Sequence, residues 1–160
     1  MDWAGVSMNE DDRIRSILDR RTIAIIGLSR DPNKDSYIVA SYLKREGYQI
    51  IPINPFAGEI LGEKCWPNLQ SLPDNLKMRI DVIDIFRPSD AVPQIVKEAV
   101  EMKGHFGHPL VIWMQLDISN EEAAREARKN GIEVVMDRCM MIEHRRLLKP
   151  SARLETMSLS

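Results

Sequence analysis

The sequence predicts an α/β fold: a Rossmann-like, doubly wound sheet of five parallel strands forming one domain. Three observations carry this. Short, continuous apolar runs rich in β-branched residues ("TIAIIG", "YQIIPIN", "IDVIDIF", "LVIWMQ", "IEVVMD") have the pattern of strands buried on both faces. Segments with helical apolar spacing separate most of these runs, as right-handed crossovers between parallel strands require. Each strand also ends in glycine, proline or polar residues, where a doubly wound sheet opens its ligand crevice.

In chain order, "MNEDDRIRSILDR" predicts a short leading helix capped by Asn9, with acids in its first turn and Ile14, Ile17 and Leu18 on one face. After strand one, a helix runs from about Ser36 to Glu46, and Gly47 takes the left-handed C-terminal cap. Strand two gives way to "PFAGEILGEKCWPNLQSLPDNL", whose prolines and glycines predict a long irregular connection with one helical turn around Leu69 to Leu72. After strand three, Ser89 caps a helix through Met102, with Pro93 confined to its first turns. Ser119 and Glu122 form a capping box before "EAAREARKNG", and "CMMIEHRRLL" predicts a terminal helix after strand five. The expected strand order is 3-2-1-4-5. The expected domain spans residues 1–148, and residues 149–160 form a polar tail.

Composition narrows the function classes. A hydrophobic fraction of 44% and a net charge of −2 describe an ordinary globular chain and give no reason to expect wholesale nucleic-acid binding. Cys65 and Cys139 form no CxxC pair, which argues against a zinc ribbon or disulfide scaffold. The acidic "MDWAGVSMNEDDR" lacks the basic and apolar regions of a signal peptide, and no run reaches membrane-spanning length, so a cytoplasmic protein is expected.

The loop after strand one, Gly27 to Ser36, offers Ser29, Arg30, Lys34 and Ser36 at a helix N-terminus, where unpaired N–H groups and the helix dipole favour an anion. Asn54 and Pro55 follow strand two, Phe86, Arg87 and Pro88 follow strand three, and Trp113 and Gln115 lie at the end of strand four. Arg87 is placed to reach phosphate from the neighbouring strand. Phe86 fits either the core or an adenine face, and Trp113 either the core or the site. Gln115 is not explained by packing alone. Strand two is followed by "PINPF" rather than by an acid for ribose hydroxyls, and the three-glycine dinucleotide fingerprint is missing, so NAD is disfavoured.

From about Ile14 to Leu148 the chain resembles the small stand-alone CoA-binding proteins, whose Rossmann-type domain is similar to that of succinyl-CoA synthetase alpha subunits. The succession of "IAIIGLSRDPNKDSYIVASYL", "GYQIIPINP", "EILGEKCWPNL", "DVIDIFRPSDAVP", "VIWMQLDI" and "EAAREARKNGIEVVMDRCMMIEHRRL" carries the resemblance. It implies that Gly27, Leu28, Ser29, Lys34, Ser36 and Tyr37 hold the phosphates of coenzyme A. It also implies that Asn54, Pro55, Phe86, Arg87 and Pro88 contact its adenosine half. Leu28 and Asp117 stand where many relatives carry smaller residues, and Phe56 where a lysine is sometimes found. Arg30, Lys34 and Arg87 are left as the cations for a 3′-phosphate.

For catalysis, the one pairing worth naming is Cys139 with His144, and their five-residue spacing on a helix turns them apart. An inert buried cysteine is the expected state, and "HFGHP" supplies too few ligands for a metal. The expectation is therefore non-catalytic binding of coenzyme A or an acyl-CoA by a carrier, sensor or accessory module. Its partner is a CoA-type small molecule rather than nucleic acid or membrane, with a homo-oligomer or an enzyme partner left open. The alternatives are an NAD(P)-binding enzyme or redox sensor on the same fold, and a ligand-free interaction module.

Overall fold

Five parallel strands, β1 (Thr22–Ile26), β2 (Gln49–Ile53), β5 (Val82–Ile85), β6 (Val111–Met114) and β7 (Glu133–Val135), form the central sheet of the computed structural model, which describes residues 8–149. Helices α1 (Glu10–Leu18), α2 (Asp35–Arg45) and α6 (Met140–Leu148) share one apolar cluster. Helices α4 (Val92–Phe106) and α5 (Glu121–Lys129) share the other, joined by Leu69 and Leu72 from the β2–β5 connection. β1 shows why its sequence is apolar throughout. Ile23 and Ile25 enter the first cluster while Ala24 and Ile26 enter the second, because successive side chains of a strand point to opposite faces. Expressed in the sequence numbering of the five strands, this is the doubly wound α/β fold that the sequence predicts.

The strand order, however, is 2-1-3-4-5 rather than 3-2-1-4-5, since β5 pairs with the free side of β1 (Ile23 to Val82, Ile26 to Ile85) and leaves β2 at the edge. The physical reason lies in Pro52. It has no N–H to donate, which suits an edge strand and not one hydrogen-bonded on both sides. The order now reverses between β1 and β5, so the crevice lies between Gly27 and Phe86.

Local signals mostly act as expected. Asn9 Oδ1 accepts from Asp12 N–H at 2.8 Å, and Gly47 has φ +94°. Three details differ. The β2–β5 connection contains a small hairpin of β3 (Glu59–Ile60) and β4 (Glu63–Lys64) and a single helical turn, α3 (Asp74–Lys77). α4 follows a 3₁₀ turn at Ser89–Ala91 and continues to Phe106, stopping only where Gly107 adopts φ +76°. Asn120, not Ser119, caps α5, its side chain accepting from Ala123 N–H at 2.9 Å. Of the expected tail 149–160, all but Lys149 lies outside the described residues. No helix among the described residues is long and apolar enough to cross a membrane.

Candidate functional site

At the carboxyl ends of the strands, β1 terminates in Gly27, whose N–H donates to Ile53 O at 3.1 Å. Its φ of +84° lies in the left-handed region, and a Cβ placed there would stand 2.7 Å from the backbone oxygen of Phe86. Glycine is thus required twice over, by backbone conformation and by the close approach of β5. The loop that follows is held by its own polar groups. Buried Ser36 Oγ accepts from Ser29 N–H at 2.9 Å, Ser29 Oγ from Asp31 N–H at 3.0 Å, and Asp31 Oδ1 from Asn33 N–H at 3.0 Å.

Asn54 ties this loop to the next one. Its Nδ2 donates to Leu28 O at 2.9 Å and its Oδ1 accepts from Phe56 N–H at 2.7 Å. Asn54 and Ser36 therefore act first as supports of the loop backbone. Leu28 is fully buried in the core beside α2.

Helix α2 begins after Lys34 with no side chain capping its N-terminus. The N–H groups of Asp35 and Ser36 are left without intrahelical acceptors, as in any first turn. Lys34, Arg30 and Arg87 are exposed, and among the described residues none of them forms a salt bridge or side-chain hydrogen bond. The acids Asp31 and Asp35 share the loop and balance the charges of Arg30 and Lys34. Tyr37 and Phe86 are half-buried, while Pro55 and Pro88 are exposed.

Between α2 and α6 lies a cleft of about 290 Å³, lined by Asp35, Ile38, Val39, Phe86, Gln115, Leu116, Ile118, Cys139, Met141 and Ile142. Trp113 does not line it. Its ring is buried, with Nε1 donating to Arg138 O at 2.7 Å, so it packs below the site.

Gln115 is explained by a buried partner: its Nε2 donates to Asp84 Oδ1 at 2.7 Å. Asp84 shares a sheet face with Val82, is completely buried, and its Oδ2 has no hydrogen-bond partner. Burial pushes its carboxyl up to about 7, against the downward pull of the Gln115 hydrogen bond. The sequence signal was an acid inside the apolar run "DVIDIF".

Cys139 and His144 have separate surroundings. Cys139 precedes α6 and faces the cleft, whereas His144 Nδ1 lies 2.7 Å from Tyr42 Oη. Burial raises the thiol and depresses the imidazole, the opposite of what an activated thiolate and its base require. Labelling of Cys139 by a thiol reagent at pH 7 is expected to be slow and to accelerate only on unfolding. Rapid stoichiometric labelling of the native protein would contradict this. No group of three potential metal ligands occurs among the described residues.

The chain is similar in sequence and fold to several known proteins. The chain is 34% identical over 132 residues to the uncharacterized protein YneT of Bacillus subtilis, covering 82% of this chain and 91% of that one. A hypothetical protein from Pyrococcus horikoshii OT3 superposes with a TM-score of 0.78 at 36% identity, covering 92% of this chain and 99% of that chain. The acetate–CoA ligase [ADP-forming] II of Archaeoglobus fulgidus is 32% identical over 100 residues, which are 61% of this chain and only 14% of the ligase. The family described as CoA binding domain matches residues 21–145, and the chain belongs to that family.

Proposed function

We propose that the protein binds coenzyme A or an acyl-CoA at the β1–α2 loop and the adjoining cleft, without performing chemistry on it, as a carrier, sensor or accessory module. One observation carries the reading: an uncapped helix N-terminus lies beside a glycine whose missing Cβ lets β5 approach, with three cations not engaged by other side chains close in sequence to the same strand ends. Family membership and the likeness to the acetate–CoA ligase support it.

The residues fit such a ligand by charge and shape. The first-turn amides of α2, with Lys34, Arg30 and Arg87, supply donors for phosphates; Ser29 and Tyr37 border them. Phe86, Pro55 and Pro88 offer apolar surface to the adenosine half. Gly27, Leu28, Ser36 and Asn54 set the backbone that presents these groups, while Trp113 is buried in the core and bonded to Arg138 O. Cys139 is a wall of the cleft. Because the matched region is a small part of the ligase, the ligase's activity is not carried over.

Titration of the protein with coenzyme A, dephospho-CoA and NAD tests the reading. A ligand that binds only the folded chain stabilises it by about 2.7 kcal/mol at a hundredfold excess over Kd, so coenzyme A should raise the melting temperature more than NAD does. Lys34→Ala should remove a charge-assisted hydrogen bond of roughly 1.5–3 kcal/mol, on the order of a tenfold to hundredfold loss of affinity, with the unliganded melting temperature unchanged. Equal affinities of both proteins for coenzyme A would remove Lys34 from the site. A clear preference for NAD would overturn the assignment.

A further inference from the structure

We infer that the cleft between α2 and α6 holds the apolar acyl group of a CoA thioester, so that the preferred ligand is an acyl-CoA and not free coenzyme A. This rests on the CoA reading above and deepens it. The cleft begins at Asp35, the first residue of α2, and at Phe86, beside the helix N-terminus assigned to the phosphates. From there it runs toward α6 between side chains that are mostly apolar. A ligand anchored by its phosphates at α2 thus has its far end directed along a continuous apolar surface.

That surface is uncovered among the described residues. Ile38, Leu116 and Ile142 keep 44%, 54% and 48% of their area exposed, although each borders the cleft. The pantetheine arm of free coenzyme A ends in a thiol short of the outer part of this surface, whereas an acyl chain extends over it, and the transfer of each methylene from water is favourable. The floor carries one polar feature suited to the arm or the thioester. Gln115 Nε2 is fixed on Asp84, and Gln115 Oε1 has no partner among the described residues while remaining accessible from the cleft. Asp84 is thus a positioning residue, orienting the one amide that faces the ligand.

The experiment measures the ratio of affinities for butanoyl-CoA, acetyl-CoA and coenzyme A in wild type, Leu116→Glu and Ile142→Glu, with melting curves confirming that both variants fold. Each methylene that enters the cleft should tighten binding about fourfold. Butanoyl-CoA, two methylenes longer, should therefore exceed acetyl-CoA by roughly fifteenfold in wild type, and the ratio should collapse toward one in both variants. Equal affinities for all three ligands in wild type would overturn the acyl assignment while leaving coenzyme A binding intact. A chain-length preference unchanged in both variants would also overturn it, by placing the acyl group elsewhere. Concentration-dependent self-association abolished by Leu116→Glu, with no chain-length preference, would instead give the face to a second copy of the chain. Failure of all three ligands to bind would refute the underlying CoA reading.

Discussion

Asp84→Asn should make the protein more stable above pH 8, by on the order of 2 kcal/mol. The folded carboxyl titrates at about 7 against 3.8 for an ordinary aspartate, because burial disfavours its charged form. A folded-state value raised above the unfolded one means that stability is fully present below pH 3.8 and is lost as pH rises through about 7. The difference corresponds to about 4 kcal/mol at high pH, of which an asparagine amide left without a partner at the Oδ2 position gives back roughly 1–3. The gain should shrink through neutrality, vanish at about pH 5 and turn into a loss of roughly 1–3 kcal/mol well below pH 3.8, where wild-type Asp84 is protonated in both states and only the cost of the unpaired amide remains. Urea midpoints of the two proteins between pH 4 and 9 would show it. Parallel profiles, with no change in their difference across that range, would mean that Asp84 does not titrate as its burial requires.

Gly27→Ala should destabilise the fold by roughly 3 kcal/mol, combining the left-handed penalty of about 1–2 kcal/mol with a clash against the chain itself. The atom that a Cβ would meet at 2.7 Å is a backbone oxygen, Phe86 O, which cannot rotate away as a side-chain tip would. Relief requires β1 and β5 to separate, or the loop before α2 to shift. Stability and ligand affinity should therefore fall together, in contrast to Lys34→Ala, where affinity falls alone. Chemical denaturation with a parallel coenzyme A titration distinguishes the two cases. A Gly27→Ala protein of wild-type stability would show that the crevice is more compliant than its backbone contacts imply.

Much of this architecture is legible in the sequence because the signals are local. Asn9 and Gly47 act where their chemistry places them, and the apolar runs form strands buried on both faces. Strand order is not local, since the sheet can be threaded in more than one way by the same alternation. Pro52 was the informative residue, and its meaning depends on which neighbour would have needed its N–H. The candidate site divides similarly. The positions of Gly27 and Phe86 at strand ends and of Lys34 just before α2 are readable from the chain, whereas the partnership of Gln115 with Asp84 joins residues 31 apart in sequence and needs the register of β5 against β6. Asn54 follows β2 as its sequence position implies, and its amide is committed to Leu28 and Phe56, which only the folded loops reveal.

The same proline determines how the molecule meets its neighbours in concentrated solution. Along the outer side of β2, Pro52 presents no donor, its oxygen accepts from Trp66 N–H at 3.0 Å, and Trp66 O accepts from Asn54 N–H at 2.9 Å. The chain's own connection thus occupies this border. At the far side of the sheet β7 is only three residues long and begins with exposed Glu133. Neither border offers the long row of idle amides and carbonyls on which a foreign strand adds, so the sheet resists extension into a fibre by edge-to-edge growth.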